Sequence, residues 1–204
     1  MVVVGAGSGG LSALCHLLSD LPKDFEASIL VALDAGSQPA ASVLQILRGY
    51  SPLPVIYADD GLMVRRGRVV LAPTRQHLVI VPPDIISLEY ERSFSGGGPS
   101  VDRLFETAAE TFGRRVIGIV LTGDSHDGTA GLTRIEAAGG VGLVQEPHEA
   151  LESGMPGNAV RMDHPDYCCT LDDIAALLVS LVDGGLPFSS KAPALKKMQR
   201  SSHR

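Results

Sequence analysis

The first ten residues constrain this chain more than any others. Met1-Val-Val-Val-Gly5-Ala6-Gly7-Ser8-Gly9-Gly10 leads a short apolar run into a glycine-rich turn. Leu11, Leu14, Cys15, Leu18 and Leu21 follow at helical spacing, and Pro22 closes the segment. Strand, tight turn and helix in that order open a parallel α/β unit. Such a turn sets backbone N–H groups and the positive end of a helix at the carboxyl edge of the sheet, where ligands of open α/β sheets bind.

The alternation continues along the chain. Strands are expected at 2–5, 28–33, 53–57, 68–72, 77–81, 116–122 and 141–144, several as continuous apolar runs suited to burial on both faces. Helices are expected at 10–21, 39–48, 100–112, 129–138, 155–162 and 171–182. Ser100 is placed as an N-cap, with Asp102 in the first turn and Gly113 beyond the end. Thr170-Leu-Asp-Asp173 starts the last helix in the manner of a capping box. Turn signals at Asp59-Asp60-Gly61 and Arg66-Gly67 make 59–83 read as an antiparallel β insertion at one edge, and 93–99 as a flexible connection. The expected fold is α/β: a doubly wound, mostly parallel, Rossmann-like sheet with a small antiparallel insertion, over residues 1–183.

Composition narrows the function. The chain has 204 residues, 45% apolar, enough for one full core, with net charge −6, no Trp and 4% aromatics. Neither the charge nor the scarcity of stacking side chains suits nucleic-acid binding. Residues 184–204 carry Lys191, Lys196, Lys197, Arg200 and Arg204, and read as a basic, disordered tail. Cys15, Cys168 and Cys169 make neither a disulfide framework nor a zinc spacing, and Cys15 belongs to an apolar helix face. No apolar run reaches membrane-spanning length and no signal peptide precedes the first strand, so a cytoplasmic location without membrane insertion is expected.

Two clusters fall on the same sheet edge. Gly5-x-Gly7-x-x-Gly10, with Asp34 ending the second strand, fits a dinucleotide fingerprint. Thr122-Gly123-Asp124-Ser125-His126-Asp127-Gly128 forms a polar turn between a strand and a helix. It can supply carboxylates and an imidazole, or be a solvated turn with Asp127 at a helix N-terminus.

Several motifs in order then resemble the chemotaxis receptor methylesterase family, the CheB C-terminal domain. They are Gly5-Ala6-x-x-Gly9-Gly10; Asp60-Gly61 with Gly67-Arg-Val-Val-Leu-Ala-Pro73 and His77; Ser100-Val-Asp102-x-Leu-Phe105; Thr122-Gly-x-x-x-Asp127-Gly-x-x-Gly131; and Gln145-Glu146 with Ser153-Gly-Met155-Pro156. The resemblance spans about residues 2–183. It implies hydrolysis of receptor glutamate methyl esters by a Ser/His/Asp triad, with no metal and no cofactor. Carried over residue by residue, the nucleophile position is Gly7, the histidine position is Asp34, and only the aspartate, Asp127, is retained. A family methionine beside the site is replaced by Asp124. Gly9, Gly10, Thr122, Gly123 and Met155 would line the site.

Three readings follow. In the first, esterase activity is lost or strongly reduced and the domain binds a chemoreceptor-like or other signalling protein, a methyltransferase among the candidates. In the second, Ser8 and His126 stand in for the missing groups with Asp127. In the third, Gly5, Gly7, Gly10 and Asp34 hold a dinucleotide. The resemblance begins at the first strand of the catalytic-type domain, so phosphorylation control by a receiver domain in cis is not expected.

Overall fold

A computed structural model of the chain describes residues 1–90, 98–162, 165–184 and 196–197. In chain order it contains β1 (Val2–Ala6), α1 (Gly10–Ser19), β2 (Ser28–Leu33), α2 (Ala40–Tyr50), β3 (Val55–Tyr57) and β4 (Arg68–Leu71). Next come β5 (Gln76–Val81), β6 (Ile85–Tyr90), α3 (Val101–Phe112), a single 3-10 turn (Gly113–Arg115) and β7 (Ile117–Val120). The remainder is α4 (Thr129–Ala137), β8 (Val141–Gln145), α5 (Gly154–Met162), β9 (Tyr167–Cys169), α6 (Leu171–Val182) and β10 (Lys196–Lys197).

The main sheet is ordered β3-β4-β2-β1-β7-β8-β9-β10, parallel except for β10. The chain winds outward from β1 through β2 to β4, then returns to the other side of β1 with β7. The strand order therefore reverses between β1 and β7, and the loops that leave their carboxyl ends diverge there, which is where such sheets open a crevice. The strands at this point are buried on both faces. Val2, Val4 and Ala6 pack with Leu14, Leu18 and Leu177 of α1 and α6. Val3 packs on the opposite face with Leu104, Phe105 and Leu132 of α3 and α4.

Most expected elements are present within a few residues. Two expectations are corrected. Arg68–Leu71 is a parallel member of the main sheet, between β2 and β3, and not part of the antiparallel insertion. The antiparallel unit is the β5–β6 hairpin, a separate two-stranded sheet. The connection expected at 93–99 lies outside the described residues up to 97. So does most of the basic tail, of which Lys196–Lys197 add a short antiparallel strand beside β9.

Gly5 has a packing role at the switch point. A Cβ there would overlap Val101 Cγ1, so the absence of a side chain is what lets α3 begin directly against β1. Gly5→Ala is expected to cost about 1–3 kcal/mol of stability by overpacking. Denaturant unfolding of Gly5→Ala, Val101→Ala and the double variant checks this. The overlap predicts that Gly5→Ala costs less in the Val101→Ala background; strict additivity would contradict it.

Candidate functional site

The turn after β1 is fastened to the end of β7. Gly7 N donates to Thr122 O (2.8 Å), Gly10 N donates to Gly7 O (2.7 Å), and Thr122 Oγ1 donates to Ser8 O (2.9 Å). Gly9 takes a left-handed conformation (φ 80°) at the α1 N-terminus. Thr122 also donates its N–H to Gln145 Oε1 (2.9 Å), and its hydroxyl oxygen accepts from Glu152 N (2.9 Å). Gly123 N donates to Glu152 O and Met155 N donates to Gly123 O, so α5 starts against the same strand end. Sequence reasoning named Thr122, Gly123 and Met155 as lining residues. It named Gln145 within a family motif and not as a lining residue; its buried amide anchors Thr122 and reaches Glu149 (3.2 Å). A polar residue at the end of an apolar strand run was the available signal.

The second strand delivers Asp34 to the same edge. Its N–H donates to Ala6 O (2.9 Å), and Oδ1 accepts from Gly36 N (2.9 Å) in an Asx turn. Gly98 lies directly on this side chain: a Cβ at 98 would stand 2.6 Å from Asp34 Cβ.

Asp127 is held differently. Its carboxylate accepts from Val101 N (2.8 Å) and Asp102 N (2.9 Å), the first two N–H groups of α3, and from Gly128 N (3.0 Å). Ser100 Oγ accepts from Arg103 N, as expected for the N-cap, and His77 Nδ1 accepts from Ser100 N (2.9 Å). Asp102 returns the favour to α4: its Oδ1 accepts from Gly128 N (2.9 Å) and Gly131 N (2.7 Å). Each helix N-terminus is thus capped by a carboxylate supplied from the other. Burial pushes the Asp102 carboxyl above its ordinary range and the Asp127 charge adds to this, while the Gly131 and Gly128 bonds pull the other way.

A cavity of about 200 Å³ brings the three carried-over positions together: Gly7, Asp34 and Asp127 line it with Asp124, Pro99 and Met155. Among the described residues, no histidine lines it. A larger cleft of about 1040 Å³ adjoins it, sharing Gly7, Asp34 and Asp124 and taking in Ser8, Gly9 and the exposed side of α1. Ser8 lines only the larger cleft, and His126 is exposed and lines neither. No hydrogen bond joins Ser8 to His126, and the Ser8 side chain does not cap α1. Gly10 lies outside both cavities, its N–H held by Gly7 O. The dinucleotide fingerprint is largely committed to packing, since Gly5 admits Val101 and the Gly7 N–H is taken by Thr122 O. Among the described residues, the one group of side chains close enough to share a metal ion is the exposed His16, Asp20 and Asp172, away from Asp127 and the smaller cavity.

The sequence pattern of the CheB methylesterase family matches residues 2–178. This chain belongs to that family. A Myxococcus xanthus protein named protein-glutamate methylesterase/protein-glutamine glutaminase 5 is 42% identical over 181 residues, covering 87% of this chain and 52% of its own length. A Burkholderia pseudomallei protein of the same designation, numbered 2, is 33% identical over 182 residues, 89% of this chain and 53% of its own. This chain therefore spans about half the length of those two relatives. A Leptospira interrogans relative, 31% identical over 185 residues, is matched over 96% of its length. The crystal structure of the Thermotoga maritima CheB methylesterase catalytic domain superposes with a TM-score of 0.82 at 29% identity, covering 88% of this chain and 97% of that one. The doubly wound fold with its small antiparallel hairpin is thus a CheB catalytic-domain fold. No helix among the described residues is long and apolar enough to cross a membrane.

The shifted Asp102 carboxyl gives a pH signature. A carboxyl whose value is raised on folding stabilises the fold most when protonated, below the unfolded value. That contribution is lost as pH rises through the folded value. Asp102→Asn keeps an acceptor for Gly128 and Gly131 but removes the titration. The stability of wild type relative to Asp102→Asn is expected to rise as the solution goes from about pH 7 to about pH 4. Parallel pH profiles of the two unfolding midpoints would contradict the shift.

Proposed function

We propose that this chain is a CheB-type domain whose site binds a protein partner and has lost, or nearly lost, ester hydrolysis. The observation that carries the reading is the composition of the 200 Å³ cavity: Gly7, Asp34 and Asp127, the positions onto which the family resemblance carries the triad, line it together. Gly7 has no hydroxyl to attack a carbonyl. A carboxylate is a much weaker base than an imidazole, so an aspartate does not supply the proton transfer that a histidine provides at neutral pH. Asp127 is already engaged by three backbone N–H groups, so its presence is accounted for by capping alone. Removing a serine or histidine from a comparable triad lowers turnover by about 10⁶.

The fit at both positions is close. A Cβ at Gly7 would stand 3.1 Å from Gly123 Cα and 3.4 Å from Met155 Sδ, and Gly98 occupies the space beside Asp34. On this reading the partner is a chemoreceptor-like protein or another component of the same signalling system, a methyltransferase included.

The test is hydrolysis of a chemoreceptor carrying glutamate methyl esters. The wild-type chain is expected to release no methanol above the uncatalysed rate, and Ser8 to remain unlabelled by a fluorophosphonate. Gly7→Ser combined with Asp34→His should recover a measurable part of the activity, about 10³-fold over either single variant, limited by the tight fit at positions 7 and 98. Wild-type hydrolysis abolished by Ser8→Ala would overturn the reading in favour of a relocated nucleophile.

A further inference from the structure

The α2 helix buries little of itself. Of its eleven residues, only Val43 and Leu47 are buried. Ile46 is 38% exposed and Tyr50 58% exposed, one turn apart on the same side. Both line the 1040 Å³ cleft, opposite Leu11 and His16 of α1. Two large apolar side chains facing an open cleft form a binding surface of the helix-in-groove kind, read by anchors at helical spacing. The volume exceeds what a small-molecule pocket usually needs and the cleft is open along α1, which suits a helix about 10–12 Å across.

Among the described residues, the formal charge lining this cleft has one sign. Asp20, Asp34 and Asp124 line it with no described Lys or Arg, and the His16 imidazole lies beside Asp20. The Asp124 carboxylate has no hydrogen-bond or ion-pair partner among the described residues, and one Asp34 oxygen is occupied by Gly36 N. Asp34 and Asp124 also line the 200 Å³ cavity, so a side chain entering from the apolar floor meets them at the cavity mouth. A glutamate side chain would be repelled there, and a basic one attracted.

The geometry points to an amphipathic helix of a partner protein as the occupant of this cleft, its apolar face on Ile46, Tyr50 and Leu11 and a Lys or Arg side chain directed between Asp34 and Asp124. This rests on the non-hydrolytic reading above, and names the chemistry of the partner: basic where the family substrate is a glutamyl ester.

The experiment measures anisotropy of labelled amphipathic helical peptides with one leucine face, identical except for Arg, Gln, Glu or glutamyl methyl ester at a central flank position. The full chain is expected to bind the Arg peptide about tenfold more tightly than the Glu peptide. Asp34→Asn with Asp124→Asn should erase that preference, and Ile46→Ser with Tyr50→Ser should weaken all four peptides. All four altered side chains are exposed, so circular dichroism should be unchanged. Equal or tighter binding of the Glu peptide, no binding of any peptide, or competition by free spermidine as strong as by the Arg peptide would overturn the inference. Hydrolysis of the ester peptide would instead overturn the non-hydrolytic reading, whichever peptide binds best.

Discussion

Two helices point their positive ends at one crevice, and the reciprocal carboxylates of Asp102 and Asp127 make that arrangement stable. Each helix start leaves N–H groups without intrahelical partners, and two such ends side by side also bring like partial charges together. Asp127, just before α4, closes the first two N–H groups of α3, and Asp102, in the first turn of α3, accepts from the start of α4. Burial above all, and then the Asp127 charge, raises the Asp102 value despite the bonds from Gly131 and Gly128. A buried N–H left without its acceptor would cost about 1–3 kcal/mol.

This constraint fixes the architecture around the crevice independently of the chemistry done there. The cap pair fixes α3 against β1, where Gly5 admits Val101, and fixes the 123–128 loop beside the Gly7–Gly9 turn. None of these contacts requires a hydroxyl at position 7 or an imidazole at position 34. An aspartate that serves the scaffold is kept by folding alone. Gly7 and Asp34 also serve the scaffold, Gly7 through its backbone bonds to Thr122 and Gly10 and Asp34 through its Asx turn with Gly36, and Met155 and Gly98 pack closely beside them.

The fold was legible because its strands are continuous apolar runs and its turns carry glycine. The helices α3 and α6 announced themselves by Ser100 and Thr170, both of which cap as expected. β6 escaped notice because only Ile86 is buried and no clean alternation survives. β9 is only three residues long. β4 was misassigned because the turn signals on either side resemble a hairpin. They instead return the chain to insert β4 between β2 and β3, and local sequence does not encode that choice. Gly7, Asp34 and Asp127, the positions that the ordered motifs single out, line one cavity. The cap pair was not legible: Asp127 looked like a dipole partner for its own helix, whereas it serves a helix 25 residues earlier in the chain. Ser8, offered by the turn as a stand-in hydroxyl, makes no side-chain cap on α1.

The most direct measurement is native-state hydrogen exchange on Asp127→Ala. If Asp127 is held for the scaffold, the amides of Val101, Asp102 and Gly128 lose protection together and global stability falls by about 1–3 kcal/mol. If protection at the starts of α3 and α4 and the unfolding free energy both match wild type, the carboxylate has no structural task, and its retention must be explained by chemistry at the site.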